Sequence, residues 1–382
     1  MTGTEPALRA EWIEDERRLT ELASPWNALA EGDPDPFARH AWHAAWWRGF
    51  GGGRRLETCA LWDGGDLAAI FPLCRRRGAL AALANEHTAI FRPVARDERA
   101  LGRLCAEVLD RAGAELEVPV LPSDSDAHRA LREGSRSAGR AVVLEPDLTS
   151  PIVDTSGGDF EAYRKATRPK WMARLARYRR KMDREYELDL SVAAPPADLA
   201  AELEAGFDLE ASGWKGETGT AILSSAPIAG FYREIAEAYH AAGELRLSRI
   251  ALDGRLVAFD LAILYGGRLY SLKTAFDESF RQIVPGLVLR LSIIEHCFEQ
   301  GLEAHEFLGA SYEWKRSFAT GERRHVMFRS FSRGLSGAAR HRWRRSLRPF
   351  TKRAYLATIG RRRAPHEEDR PPGTPTGSER PT

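Results

Sequence analysis

Cysteine is scarce in this chain of 382 residues and follows no pattern. The four cysteines, with no C-x-x-C pair among them, are Cys59, Cys74, Cys105 and Cys297. Zinc sites and disulfide frameworks need clustered or regularly spaced cysteines, so neither is predicted. The histidines also lack the spacing of metal ligands, and we expect no metal cofactor. A reducing, intracellular setting fits best.

Long apolar runs and several catalytic motifs are also missing. No window approaches the roughly 18 uninterrupted apolar residues of a membrane-spanning helix, and the N-terminus has no basic region followed by an apolar one. We expect no transmembrane span or signal peptide and a cytoplasmic location, with peripheral contact to the inner face of the membrane left open. The absence of G-x-S-x-G and G-x-x-x-x-G-K-[ST] motifs disfavours a hydrolase and a P-loop nucleotidase.

The net charge of +2 hides a strong asymmetry along the chain. Residues 164–184 carry ten cations and one acid, and residues 333–363 carry eleven cations and no acid. The remainder of the chain is therefore acidic. Each basic segment is a candidate contact for phosphate groups or anionic lipid.

Residues 1–154 predict a first unit of alternating short strands and helices. The expected strands include Ala7–Ile13, Leu56–Trp62 and Asp66–Cys74, and the expected helices are Ala38–Phe50, Asp97–Ala112 and Ser125–Ser137. A basic helical arm, 155–195, follows, and Pro169 is expected to mark a kink or a fresh helix start inside it. The arm is either an electropositive element that meets phosphates of a ligand or a solvated surface helix.

Residues 196–334 predict a second unit in which strands form a meander before a strand–helix–strand segment. The expected helices are Asp198–Ser212 and Pro227–Ala242, and the expected strands are Glu244–Leu252, Arg255–Leu264, Arg268–Ala275, Ala304–Leu308 and Val326–Phe331. Tight turns at Asp253-Gly254 and Gly266-Gly267 indicate antiparallel pairing of the first three strands.

The loop at 281–289 leads from this meander into a helix and is a candidate phosphate site. A helix N-terminus presents unpaired N–H groups and a positive dipole end. Pro285 suits a helix start, Gly286 would let a pyrophosphate approach the backbone, and Arg281 could pair with a phosphate oxygen. An ordinary helix cap remains the alternative.

The C-terminal segment predicts a basic amphipathic helix over 335–360. Trp343, Leu347, Phe350 and Ala354 recur at three- and four-residue spacing among arginines and lysines, which suits an anionic membrane surface or an acidic partner. A plain solvated helix is the alternative. The composition of 361–382 indicates disorder.

Several motifs of the second unit resemble one family. They are the D-G-R hairpin at 253–255, G-G-R-L-Y-S-L-K at 266–273, F-D-E-S-F-R at 276–281, P-G-x-x-L at 285–289 and F-L-G-x-S-Y-E-W-K-R-S-F-A at 307–319. Upstream, E-A-S-G-W-K-G at 210–216 and G-T-A-I at 219–222 fit the same pattern. Residues 155–332 resemble the GNAT-type acyltransferase domain that BioF2-like acetyltransferases share with the bacterial cellulose-biosynthesis protein CelD. The resemblance is looser over 20–150.

The resemblance implies an α/β (α+β) fold of tandem GNAT-like, FemAB-like domains, each a mixed, mostly antiparallel sheet flanked by helices. The second domain would hold the acyl donor, acetyl-CoA or another acyl-CoA. Its pyrophosphate would rest on the helix start formed by Pro285, Gly286 and Leu287, with Arg281 beside it.

The chemistry needs an acceptor that is deprotonated beside a thioester and a group that stabilises the oxyanion. Lys315 matches the lysine of the Y-K motif in Fem-like transferases and is expected to stabilise that charge or bind the donor carbonyl. Asp277 and Glu278 are candidate bases, with a surface or structural role as the alternative for each. The residues expected to contact the acceptor are Trp214, Lys215, Lys273 and Tyr312.

The leading hypothesis is transfer of an acyl group from acyl-CoA to an amine or hydroxyl, on a small-molecule or lipid-linked sugar used in envelope polysaccharide synthesis. A second hypothesis keeps the fold and makes aminoacyl-tRNA the donor, with the basic arm on tRNA phosphates. A third is a non-catalytic scaffold that contacts the membrane through 335–360. Nucleic acid is expected as a partner only under the second hypothesis.

Overall fold

The computed structural model describes residues 8–213 and 221–346. Trp214, Lys215, most of the predicted basic helix and the segment 361–382 lie outside the described residues. The elements up to residue 154 are β1 (Arg9–Ile13), α1 (Glu16–Glu21), α2 (Ala23–Leu29), α3 (His40–Phe50), β2 (Arg55–Leu56), β3 (Thr58–Asp63), β4 (Asp66–Phe71), β5 (Leu73–Arg76), β6 (Ala79–Ala82), β7 (Val94–Ala95), α4 (Glu98–Arg111), β8 (Glu115–Pro122), α5 (Asp126–Ser137) and β9 (Ala141–Asp154).

The later elements begin with the basic arm. They are α6 (Phe160–Ala166), α7 (Pro169–Glu185), β10 (Leu188–Ala194), α8 (Leu199–Ser212), α9 (Ala226–Ala241), β11 (Leu245–Leu252), β12 (Arg255–Tyr265), β13 (Arg268–Phe276), α10 (Pro285–Glu299), β14 (Ala304–Glu306), α11 (Glu313–Arg316), β15 (Gly321–Phe331) and α12 (Leu335–Ser346). A strand at β10 was not predicted from the sequence.

The strands form two sheets. A four-stranded sheet has the order β1-β3-β4-β7, and an eleven-stranded sheet has the order β10-β11-β12-β13-β14-β9-β15-β8-β6-β5-β2. With helices packed against the sheets, the α/β fold class predicted from the sequence is confirmed. The meander β11-β12-β13 is antiparallel, as the two glycine turns predicted.

The last strand lies in a different place from the one expected. Val326–Phe331 was predicted to complete the second unit, but β15 pairs antiparallel with β8 on one side and with β9 on the other. We call residues 8–154 together with β15 the N-terminal half, and residues 155–320 the C-terminal half. Strand alternation cannot reveal such an exchange, because the partner of a strand is not encoded in its period.

One hydrophobic core cluster includes residues of both halves. Helix α3 packs against α9, where the ring of Trp42 meets Phe231 edge-on with centroids 5.2 Å apart. A Cβ on Gly49 would lie 3.1 Å from the carbonyl oxygen of Pro227, so the close approach of these helices favours glycine. The division of the chain at 154 and 155 stays a prediction, because this cluster and the larger sheet extend across it.

The basic arm forms two helices that meet at Arg168 and Pro169. Arg168 has a φ of 44°, and Pro169 occupies the first turn of α7, where a missing N–H leaves no bond unmade. The proline therefore marks a fresh helix start, one of the two outcomes predicted. Met172, Leu175 and Met182 are buried on the inner side of α7, which contacts α10.

Candidate functional site

The centre of the C-terminal half is a short pair of parallel strands that then separate. Arg268–Tyr270 of β13 pair with Ala304–Glu306 of β14. Beyond that point β13 continues to Phe276, whereas β14 ends and the chain turns at Leu308, which has a φ of 50°. The two strands therefore separate and leave an opening between them. The backbone groups that face this opening take no part in the pairing of β13 with β14.

Lys315 lies at this opening. Only 8% of the residue is exposed, and Nζ donates hydrogen bonds to the carbonyl oxygens of Leu308 at 2.7 Å and Phe307 at 3.4 Å. The ammonium also faces the rings of Tyr312 and Trp314, with centroids at 5.5 and 5.6 Å. A buried cation is thus fixed on the backbone that departs from β14. Of the predicted site residues, Tyr312 lies beside it and is 49% exposed.

A buried polar network lies next to the opening, on the α10 side of β13. The Arg290 guanidinium pairs with Asp260, donates to Ser271 Oγ at 2.6 Å and lies 3.0 Å from His305 Nε2. Ser271 Oγ donates to Asp260 at 2.8 Å. Hydrogen bonds therefore link four side chains from three strands and one helix in the core.

Burial shapes the charge state of this network. It raises the pKa of Asp260, against the opposing charge of Arg290, and it lowers the pKa of His305 well below 6.5, with a further lowering by Arg290. The guanidinium also lies over the rings of Phe307 at 5.4 Å and Trp314 at 6.0 Å, which adjoin Lys315. Sequence reasoning missed Arg290, although one arginine inside an otherwise apolar helix is a signal that could have found it.

The start of α10 is the predicted phosphate site. Val284 precedes it with a φ of 48°, no side chain caps the helix, and the first turn contains no acid. Pro285 is buried, Leu287 is half-buried and Arg281 is exposed. A Cβ on Gly286 would lie 3.3 Å from Cβ of Phe276, so packing against β13 already accounts for a glycine here.

The two candidate bases lie in the connection between β13 and α10. The Asp277 carboxylate accepts from the Ser279 N–H at 2.9 Å and from Ser279 Oγ at 2.6 Å, and it also pairs with Arg255. Burial raises the pKa of Asp277, but the Ser279 and Arg255 contacts outweigh it and leave the pKa below its ordinary value. These contacts favour a structural cap over a base. Glu278 is exposed, near Gly213, and its role stays a prediction.

Lys273 belongs to a second cluster, on the face of β13 opposite Asp260. Its Nζ lies 4.8 Å from the centroid of the Tyr232 ring. The Tyr232 hydroxyl lies 3.3 Å from His87 Nδ1, and the His87 ring stacks on Phe50 at 5.4 Å. Sequence reasoning predicted only Lys273 of this group, because His87 and Tyr232 are far from it along the chain.

Cations recur on the outer side of α7, opposite its buried residues. Lys170, Arg174, Arg177, Lys181 and Arg184 follow a three- and four-residue spacing. Glu185 pairs with both Lys181 and Arg184, whereas Arg179 points to Glu295 of α10. We call these five residues the basic stripe of α7.

The described start of the predicted C-terminal helix contacts the N-terminal half. Arg340 of α12 donates to the buried Glu115 carboxylate at 2.9 Å and to the carbonyl oxygen of Arg77 at 2.8 Å.

Within residues 8–213 and 221–346, no group of three His, Cys, Asp or Glu side chains is placed to hold a metal ion. No helix in that part of the chain is both long and apolar enough to cross a bilayer.

One family model matches part of this chain. The family model of the GNAT acetyltransferase domain matches residues 169–316, which include α7, the meander, α10 and Lys315. No curated protein matches the sequence. The C-terminal half is therefore similar to the GNAT acetyltransferase domain over these residues.

Solved structures resemble the chain over most of its length. FemX has a TM-score of 0.56 at 10% identity, covering 84% of this chain and 96% of its own. The C-terminal domain of a lysylphosphatidylglycerol synthetase from Agrobacterium fabrum has a TM-score of 0.52 at 12% identity, covering 84% and 95%. The L-PGS structure from Bacillus licheniformis has a TM-score of 0.52 at 11% identity, covering 88% and 96%. At such low identity these likenesses show the fold alone, which is that of FemX.

Proposed function

We propose that this protein is an acyltransferase that moves an acyl group from an acyl-CoA thioester to an amine or hydroxyl group. The observation that supports the proposal best is the separation of β13 from β14 with the buried Lys315 ammonium at the opening. A thioester carbonyl placed there would develop negative charge beside a fixed cation, shielded from water.

The start of α10 would bind the pyrophosphate of the donor. The helix start has no side-chain cap and no acid in its first turn. Pro285 has no N–H and the Leu287 N–H donates to the Val284 carbonyl oxygen at 3.1 Å, so an anion there would gain mainly from the favourable end of the helix dipole. Arg281, exposed just before the helix, would contact a phosphate oxygen. Pro285, Gly286 and Leu287 supply the backbone for this site.

Thermal unfolding with acetyl-CoA tests the donor. A ligand that binds only the folded chain at a hundred times its dissociation constant adds about 2.7 kcal/mol to the free energy of unfolding. We expect a higher melting temperature in millimolar acetyl-CoA. An unchanged melting temperature would contradict acyl-CoA as the donor.

Lys315→Met tests the chemistry. It keeps most of the apolar stem and removes the ammonium, and we expect CoA release from acetyl-CoA, with glucosamine or water as acceptor, to slow by roughly a hundredfold. Arg316→Ala, an exposed cation on the same short helix, is the control. Equal rates in the two folded variants would remove Lys315 from the mechanism.

The acceptor proposed is a small-molecule or lipid-linked sugar of envelope polysaccharide synthesis, as the resemblance to the CelD group suggests. Trp214, Lys215, Lys273 and Tyr312 would contact it, and 335–360 would hold the enzyme at an anionic membrane surface. A lipid-linked acceptor would make the rate depend on anionic vesicles, and a soluble sugar would not.

The basic stripe of α7 supports a second candidate, transfer from an aminoacyl-tRNA. Cations in a row along a helix suit a phosphate backbone, and binding through them must weaken steeply with salt. Filter binding of bulk tRNA between 50 and 200 mM salt separates the two donors. We expect tRNA affinity no greater than that for an unrelated RNA of equal length if acyl-CoA is the donor.

A further inference from the structure

Four ionisable side chains from four separate segments lie close together where the two halves meet. Glu210 comes from α8, Tyr232 from α9, Lys273 from β13 and His87 from the connection between β6 and β7. The Lys273 ammonium faces the Tyr232 ring, and the Tyr232 hydroxyl is 3.3 Å from His87 Nδ1. Glu210 is buried and accepts the N–H of Ile222 at 2.8 Å; its charge acts on both Tyr232 and His87.

The position of His87 is fixed by local contacts. Its backbone N–H donates to the Asn85 side chain at 3.0 Å, and Thr88 Oγ1 accepts the Asn85 N–H at 3.2 Å. The ring stacks on Phe50 with an interplanar angle of 9° and meets Tyr232 edge-on. A half-buried imidazole held on two sides in this way is preorganised.

This cluster lies next to the opening where the donor is proposed to bind. Lys273 is on the part of β13 that extends beyond the last parallel pair, Tyr270 and Glu306. Phe276, at the end of the same stretch, is the residue against which Gly286 of the α10 start packs. The face of β13 that carries Lys273 thus contacts the cluster, and the end of β13 at Phe276 adjoins the start of α10.

The charge states suit proton transfer. The pKa of His87 is lowered from 6.5, mainly by burial and then by the Lys273 charge, against the opposing carboxylates of Glu86 and Glu210. Burial raises the pKa of Tyr232 well above 10, so its hydroxyl keeps its proton. The contact between the Tyr232 hydroxyl and His87 Nδ1 fits either direction of donation. In the tautomer in which Nδ1–H donates to the Tyr232 oxygen, Nε2 is a proton acceptor.

We propose that His87, oriented by Tyr232, is the general base of an acceptor site where the two halves meet, and that the acceptor is an amine or hydroxyl compound. This inference rests on the proposed acyl transfer. His87 Nε2 takes the proton of the acceptor nitrogen or oxygen as that atom bonds to the thioester carbon. The carbon–sulfur bond then breaks, and the thiolate of CoA takes the proton back from the imidazolium, which restores neutral His87.

The test compares His87→Gln and Tyr232→Phe with His296→Gln, a half-buried histidine of α10 whose pKa is also lowered by burial. Acetyl-CoA binding is measured by calorimetry, and CoA release with glucosamine is measured between pH 5.5 and 8.5. Wild type should gain rate with pH along one titration with a midpoint below 6.5. His87→Gln should lose roughly a hundredfold in rate, together with that titration, at unchanged acetyl-CoA affinity. Tyr232→Phe should shift the midpoint, and His296→Gln should match wild type.

Other outcomes separate this site from the proposed function. If His87→Gln keeps the rate and pH profile of wild type, or if His296→Gln loses as much, the base is not His87. If wild type binds no acetyl-CoA, the proposed function fails. The acceptor site is then tested alone, through the ring signals of ¹³C-labelled histidine. A shift of the His87 signal on adding glucosamine, absent in Tyr232→Phe, supports the acceptor site, and no shift in wild type overturns it.

Discussion

The two halves contain the same substructure, a parallel pair of strands joined through a helix, but their helix starts differ. In the N-terminal half, β6 pairs with β8 and α4 lies between them in the chain. Asp97 caps α4 by accepting the Ala100 N–H at 2.7 Å, and Glu98 adds a second acid. In the C-terminal half, α10 starts after Val284 with no side-chain cap and no acid in its first turn.

The difference concerns the groups that an anion would need at a helix start. A carboxylate at the start of α4 already uses the N–H groups and the dipole that a phosphate would need. The bond to Ala100 is the main reason that the pKa of Asp97 is lowered, as expected for a cap that stays charged. At the start of α10 no side-chain cap or acid competes with a ligand, which is why the proposed donor site lies in the C-terminal half.

The largest expected effect concerns the buried arginine of each half. Arg290→Met leaves Asp260 buried without its guanidinium, and we expect a loss of about 3–5 kcal/mol in the free energy of unfolding. Arg329→Met should lose less, because its partner Glu117 keeps Arg76. Urea unfolding of both variants measures this. A larger loss for Arg329→Met would reverse the ranking, and Asp260→Asn in the Arg290→Met background should recover part of the loss.

The next effect is the loss of stability in acid that comes from His325, a residue of β15. Burial holds the pKa of His325 at about 4, against 6.5 in an unfolded chain. Below pH 6.5 the unfolded chain therefore binds the extra proton, and stability falls until about pH 4, by at most roughly 3 kcal/mol. His325→Gln should lose less stability between pH 6.5 and 4 than wild type, as measured by melting temperature. The exposed His240→Gln is the control, and identical pH curves for His325→Gln and wild type would contradict the prediction.

Val284→Asp would give α10 the feature that distinguishes α4. Aspartate tolerates the positive φ and caps the helix, so stability should rise, whereas its charge should weaken acetyl-CoA binding by about tenfold. Val284→Asn supplies the same backbone tolerance and a neutral cap. Calorimetric affinities that are equal for the two variants would show that the pyrophosphate is bound elsewhere.

The smallest effect is a difference in sign between the stability changes caused by two glycine-to-alanine substitutions. Gly286→Ala should lower the free energy of unfolding by about 1 kcal/mol, because the methyl group crowds Phe276 more than the helix gains. Gly102→Ala in α4 meets no atom within 4 Å and should raise it by about 0.5–1 kcal/mol. Urea midpoints of the two variants decide this. A shared sign would mean that packing does not explain Gly286.

Sequence reasoning predicted the meander and the long helices of the C-terminal half but not β10. Turns with fixed residue types predicted the meander, and Pro285 predicted the start of α10. The interpretation of Asp277 as a base was made without Ser279 and Arg255, whose contacts favour a cap. Such contacts depend on side-chain directions that a spacing rule does not contain.

The sequence by itself determined most of the local order of this protein: most of its helices and strands, the helix start at Pro285, and how charge is distributed. These properties depend on neighbours within a few residues. Only the tertiary structure decided that β15 joins β8 and β9, that Arg290 meets Asp260 and that His87 meets Tyr232. Each of these contacts joins segments that are far apart in the sequence. Such pairings depend on how apolar surface is buried in the whole fold, which a local sequence pattern does not predict.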